Sequence, residues 1–133
     1  MIVVDASVLA NVVGDDGQAG QIARTRLAAA TEVSAPDLID VETVAVLRKR
    51  WLAGDLTARR FRVAIDDLLG LPIAHFPTGP LMVRSYELRA NVTPYDAAYV
   101  ALAEGLACPL VTGDGRLARA PGINCDVELL TTV

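Results

Sequence analysis

Hydrophobic and polar positions alternate in blocks along this chain, and the block lengths predict its elements. Ile2 to Val4 is an unbroken β-branched run, the mark of a strand buried on both faces. It stops at Asp5, and Ala6 to Val13 follows as a short apolar helix closed by the loop Gly14-Asp15-Asp16-Gly17. Gln18 to Ala30 reads as a second helix, rich in Ala and Arg, and Val33 to Ala35 as a brief strand closed by Pro36. Asp37 can cap a helix running to about Ala53, where Gly54 ends it. Thr57 caps another helix to Leu69, stopped by Gly70. Pro72 to Phe76 is a third strand, followed by the turn residues Pro77-Thr78-Gly79-Pro80 and a helix from Leu81 to Asn91. Thr93-Pro94 places Thr at an N-cap and Pro in the first turn of a helix reaching about Ala107. Leu110-Val111-Thr112 is a fourth strand, broken by Gly113-Asp114-Gly115. A short helix near Leu117 and a last strand from Val127 to Leu130 complete the pattern.

Strands that alternate with helices predict an α/β domain of three layers, with a central, mainly parallel sheet flanked by helices and joined by right-handed crossovers. The helices between Asp37 and Leu69 are expected to form a hairpin beside the sheet. No repeat, linker or boundary interrupts the 133 residues, so residues 1–133 read as a single domain, long enough to bury a core without disulfides.

Composition narrows the function. The chain is 53% hydrophobic and 21% charged, with a mean hydropathy of +0.39, which excludes a disordered segment. Only 5% of residues are aromatic, too few for a stacking platform. A net charge of −4 and a pI near 4.8 weigh against a nucleic-acid partner. Two features offset this. Acids that bind divalent cations lower the formal charge without repelling phosphate once the cation is present. The basic residues, all Arg except Lys49, are also bunched at Arg24 and Arg26, Arg48 to Arg50, and Arg59, Arg60 and Arg62. Solvated helix faces are the plain alternative for these clusters. Cys108 and Cys125 lack metal-ligand spacing and His75 is the only histidine, so zinc is not expected and two buried free thiols are. The apolar N-terminus has no basic leader and is interrupted by Asp5, and no stretch reaches the roughly 18 apolar residues of a membrane span. A cytoplasmic location is expected.

The acids hold the chemistry. Two predicted strands end in an acid within two residues, Asp5 and Asp114, and ligands of open α/β sheets bind at the carboxyl ends of strands. Glu42 lies in an apolar stripe of its helix, among Leu38, Ile39, Ala45 and Val46, where a carboxylate is costly without a partner; a salt bridge to Lys49 is the structural alternative. Asp96 is the only charge in the first two turns of a helix that is apolar almost all round. Each acid has a structural reading: Asp5 as a cap, Asp114 as a turn residue, Asp96 as part of a capping box with Thr93. One metal site explains all four. Oxygen ligands without clustered His or Cys point to a hard cation, magnesium with manganese as a substitute. Such an ion activates a bound water and stabilises charge on a phosphate oxygen, and a second ion roughly 3.5–4 Å away stabilises a leaving oxygen. Ser7 and Thr112 would orient the carboxylates or a water.

Ile2-Val3-Val4-Asp5-Ala6-Ser7, Glu42 early in the third helix, Tyr95-Asp96-Ala97-Ala98-Tyr99 and Leu110-Val111-Thr112-Gly113-Asp114 together resemble the PIN-domain proteins, and specifically the VapC-type toxins of bacterial type II toxin–antitoxin pairs. The resemblance covers essentially the whole chain, in order and spacing. It implies a magnesium-dependent endoribonuclease with Asp5 and Asp96 as principal metal ligands, and with Glu42 and Asp114 completing the cluster partly through water. It also implies a homodimer, and a cognate antitoxin whose C-terminal segment blocks the groove with a basic side chain. Members often place another acid or Asn just beyond the position of Asp114; here Gly115-Arg116 follow, and Arg116 is free to meet an RNA backbone.

Other classes fit less well. A phosphatase of the haloacid dehalogenase type needs a second Asp two residues after the first, where this chain has Ser7. A receiver domain needs a late Lys, and the only one is Lys49. A catalytically inactive PIN-like binding or regulatory module stays open, and Glu42 or Asp96 pointing away from Asp5 would favour it.

Overall fold

The computed structural model describes residues 1–132. Five strands form one parallel sheet in the order β3-β2-β1-β4-β5: β1 (Ile2–Val4), β2 (Val33–Pro36), β3 (Ile73–Phe76), β4 (Leu110–Thr112) and β5 (Val127–Leu129). The helices are α1 (Ala6–Gly14), α2 (Gln18–Ala28), α3 (Ile39–Leu52), α4 (Ala58–Gly70), α5 (Met82–Glu87), α6 (Pro94–Leu106) and α7 (Gly115–Ala118). The chain steps from β1 to β2 to β3 in one direction and then returns past β1 to β4. Right-handed crossovers therefore put α1 to α4 on one face and α5 with α6 on the other. The hairpin of α3 and α4 packs on α1, as anticipated.

β1 sits in the centre, and its Val3 and Val4 are fully buried. Two helices that are apolar nearly all round enclose it. α1 buries Val8, Leu9, Ala10, Val12 and Val13, and α6 buries every residue from Ala97 to Ala103. Alanine repeats in α6 let it lie close to β1, β2 and β4.

The basic clusters have a use beyond solvated faces. Arg24 donates to the carbonyls of Val12 (3.1 Å) and Asp15 (2.8 Å), and Arg50 to the carbonyl of Ala10 (3.2 Å) and Asn11 Oδ1 (2.7 Å). Both guanidinium groups thus satisfy the C-terminal end of α1 and tie α2 and α3 to it. Two local expectations are corrected. Asp37 does not cap α3: the N-cap is Leu38, and Asp37 instead accepts a 2.5 Å bond from the Thr78 hydroxyl. The helix expected from Leu81 to Asn91 is shorter. It begins as a 3-10 turn at Gly79–Leu81, and three-residue bonds from Arg89 N–H to Tyr86 O and from Asn91 N–H to Leu88 O tighten its end. Cys108 and Cys125 are free thiols, half-buried rather than fully so, and burial pushes the Cys125 thiol up to about 11. Among the described residues no helix is long and apolar enough to cross a membrane.

Candidate active site

In the order β3-β2-β1-β4-β5 the chain reverses direction between β1 and β4, and a crevice opens beyond their carboxyl ends at such a point. Asp5 follows β1 and Asp114 follows β4 by two residues, so both acids line that crevice. Asp5 is the N-cap of α1, accepting from Val8 N–H at 3.3 Å, and only 5% of it is exposed. The Ser7 hydroxyl donates to Asp5 Oδ1 at 2.6 Å, and the Thr112 hydroxyl donates to Asp5 Oδ2. Each hydroxyl is held in turn by a backbone amide of the loop after β4. Gly113 N–H donates to Ser7 Oγ at 2.9 Å, and Asp114 N–H donates to Thr112 Oγ1 at 3.0 Å. Two relays, amide to hydroxyl to carboxylate, therefore fix Asp5 and fasten the loop carrying Asp114 to the end of β1. A Cβ at position 113 would lie 3.3 Å from Ser7 Oγ, so glycine lets this loop approach.

Asp114 caps α7, accepting from Arg116 N–H at 2.9 Å. Asp96 stands in the first turn of α6, where its N–H bonds Thr93 Oγ1 at 3.2 Å. The capping reading of Asp5 is thus correct, Asp114 proves to be a cap where a turn residue was expected, and Thr93 caps the helix that carries Asp96, yet none of this removes these acids from the crevice. Caps sit at helix N-termini, and in a parallel sheet those termini face the carboxyl edge. Glu42, in the first turn of α3, accepts a 2.6 Å bond from the Tyr99 hydroxyl. Its partner is not Lys49, which is exposed on the far turn of α3.

The acids feel one another. Burial raises the Asp5 carboxyl above its ordinary range, against the hydrogen bonds from Ser7 and Thr112. Burial also raises Asp96, with the charges of Asp5 and Asp114 adding to it. Glu42 is raised by burial, then by Asp96 and Asp5, with the Tyr99 bond opposing. Burial and the Glu42 carboxylate push the Tyr99 phenol far up, so it stays a donor. Among the described residues, Asp5, Glu42 and Asp96 have no ion-pair partner. A set of half-buried carboxylates that repel one another and lack a counter-charge fits a hard cation. Among the described residues no three acid, His or Cys side chains close on a common point. An ion at this edge would therefore draw at most two of these side chains into direct contact and complete its shell with water.

All four acids singled out in the sequence converge here, with Ser7 and Thr112 behind Asp5. Tyr99 is the site residue that reasoning from the acids missed. Its signal was present: Tyr99 lies three residues after Asp96 on the same helix face, and a buried phenol needs a hydrogen-bond partner. A groove lined by Asn91, Thr93, Asp96, Asp114 and Arg116 leads to the acids. A second, apolar cleft between α2 and residues 129–132 opens on Gly113 and Gly115 from the other side and has no titratable lining.

An acid cluster at the switch point of an all-parallel sheet is the site of a known class, and sequence comparison agrees: the PIN domain matches residues 2–123. The chain is 38% identical over 129 residues to Ribonuclease VapC1 of Mycobacterium tuberculosis, covering 96% of each chain. Its fold is similar to the crystal structure of Mycobacterium tuberculosis VapC20, described as a Sarcin-Ricin loop cleaving toxin, with a TM-score of 0.71 and 17% identity over 93% of this chain and 97% of that one. It is also similar to VapBC2 from Rickettsia felis bound to a promoter DNA fragment, with a TM-score of 0.68 and 16% identity over 98% of this chain and 100% of that one. These two structural likenesses bear on the fold alone. The chain belongs to the PIN-domain family, and within it to the VapC ribonucleases.

Proposed function

We propose that this protein is a magnesium-dependent endoribonuclease, the toxic member of a toxin–antitoxin pair. The observation that carries the reading is the gathering of Asp5, Glu42, Asp96 and Asp114 around one crevice, the first three without an ion-pair partner among the described residues, in a chain 38% identical to a VapC ribonuclease. Asp5 and Asp96 would hold the ion directly, and Glu42 and Asp114 through water; manganese would serve in its place. A divalent ion bound there supplies a water of lowered pKa and charge stabilisation at a phosphate oxygen. The protein's own residues fix the geometry. Ser7 and Thr112 hold both oxygens of Asp5, and Tyr99 holds one oxygen of Glu42 and leaves the other to the crevice. The acids around the crevice accept the proton shed by the attacking water. Kinship with the VapC ribonucleases supports a cognate antitoxin, which would cover this groove, and a homodimer acting in the cytoplasm.

The test is cleavage of total RNA by purified, antitoxin-free protein with magnesium, with EDTA, and with Asp5→Asn and Asp96→Asn variants shown to be folded. Metal-dependent fragments that disappear in every control are expected. Cleavage that survives both substitutions would defeat the site. No cleavage by the folded wild type would move the protein to the class of inactive PIN-like binding modules.

A further inference from the structure

The groove beside the acids must receive a polyanion on a molecule of net charge −4. Five arginines cannot help, because Arg24, Arg26, Arg50, Arg60 and Arg84 are engaged by carbonyls or carboxylates elsewhere. The short turn of α7 differs. Arg116 projects at the groove with 89% of its side chain exposed, and its Nε stands 3.6 Å from Asp114 Oδ1, a surface contact too long and too wet to occupy the group. Its charge also reaches Asp96. Arg119, the C-cap of α7 three residues on, is exposed and has no ion-pair partner among the described residues. Its guanidinium folds back over Gly115, where a Cβ would stand 2.9 Å from Arg119 Nη1. Glycine at 115 thus lets the second guanidinium lie against the residue between Asp114 and Arg116.

We propose that Arg116 and Arg119 form a two-guanidinium clamp for a backbone phosphate of the RNA strand, next to the phosphodiester that is cut. The clamp rests on the ribonuclease reading above. It positions the strand and reads no base, so it acts on every sequence alike.

The test measures binding of a fluorescein-labelled single-stranded oligoribonucleotide across a salt series, with calcium in place of magnesium and the probe checked for intactness. Wild type, Arg116→Ala, Arg119→Ala, the double variant and Arg116→Lys are compared. Each alanine should weaken binding roughly threefold to tenfold at low salt and reduce the slope of log K against log salt by about 0.7, and the double variant by about twice that. Arg116→Lys should keep the slope. Calcium affinity without RNA, read by calorimetry, should not change. Unchanged slopes, or calcium affinity falling in step with RNA affinity, would overturn the clamp. Intact RNA binding with weakened antitoxin binding would also overturn it, and would assign the pair to protein contact. A wild type that cuts RNA while the slopes stay flat sinks the clamp alone; a wild type that neither binds nor cuts RNA sinks the ribonuclease reading beneath it.

Discussion

At the scale of single residues, the site is a set of carboxylates aimed by neutral hydroxyls. Tyr99 makes one 2.6 Å bond to Glu42, and that bond opposes the burial and repulsion acting on this carboxylate. Tyr99→Phe deletes the donor and nothing else. The variant should fold, and its affinity for manganese, titrated in the absence of RNA, should fall by roughly tenfold or more, as when other partners that orient metal ligands are lost. Unchanged affinity would show that Glu42 needs no such anchor. Thr112 has two partners, accepting from Asp114 N–H and donating to Asp5. Thr112→Val keeps the shape but leaves the buried Asp5 carboxylate without this donor and the part-buried Asp114 amide without its acceptor, at a cost of about 1–3 kcal/mol, while Thr112→Ser should recover most of it in denaturant unfolding. The acids were legible in the sequence because a carboxylate directly after a buried strand, or inside an apolar helix stripe, is expensive and so conspicuous. Tyr99 was not, because an aromatic on a buried helix looks like core. Only the fold brings Glu42, 57 positions away, to its hydroxyl.

At the scale of elements, the sequence announced strands and helices well where the end signals were local. Thr57 and Thr93 cap α4 and α6 as expected, each accepting from the N–H three residues on. Asp37 failed as a cap because a tertiary partner, Thr78, took its side chain. Two backbone positions decide further predictions. Ala107 ends α6 in the left-handed region, at φ 53 and ψ 47, without being glycine. That conformation costs an L-residue roughly 1–2 kcal/mol, so Ala107→Gly should stabilise the protein by about 0.5–1 kcal/mol after glycine's extra freedom in the unfolded chain is counted. In a thermal melt this is a rise of roughly 3 °C, and a fall would mean that the Ala107 methyl has a packing role. Gly20 tests the opposite case. Helix propensity alone says that alanine in α2 would gain about 0.5–1 kcal/mol. A Cβ there would stand 1.8 Å from the carbonyl oxygen of Asp15, whose carboxylate accepts from Gly17 and Gly20. Backbone overlap of that size exceeds any propensity gain, so Gly20→Ala should lose about 2–4 kcal/mol, read as a lower denaturation midpoint.

At the scale of the whole molecule, folding gathers charges that would rather be apart. The topology could be anticipated because strands alternating with helices leave few right-handed arrangements, but the return past β1 to β4 is what makes the carboxyl ends of these two strands neighbours. The energetic consequence is testable without any substrate. Asp5, Asp96 and Glu42 titrate above their ordinary values of 3.8, 3.8 and 4.5 in the folded protein. From about pH 4 upward the unfolded chain releases these protons first, so stability falls as pH rises through the folded values. Glu104, whose burial is outweighed by its bonds to Arg84 and to Asn124 N–H, titrates low and contributes stability that is lost toward acid pH, so the total curve mixes both signs. Comparison of the wild type with Asp96→Asn isolates the cluster. In EDTA, Asp96→Asn should melt higher than the wild type, and the difference should widen from pH 4 to pH 7. Excess magnesium should reverse it at pH 7, because only the intact cluster gains the full stabilisation of a ligand that binds the folded state alone. A difference that is flat with pH and indifferent to magnesium would reduce Asp96 to a helix-end acid. A widening gap that magnesium closes would mean that the fold stores electrostatic repulsion at this edge of the sheet, and that the repulsion is relieved when the cation binds.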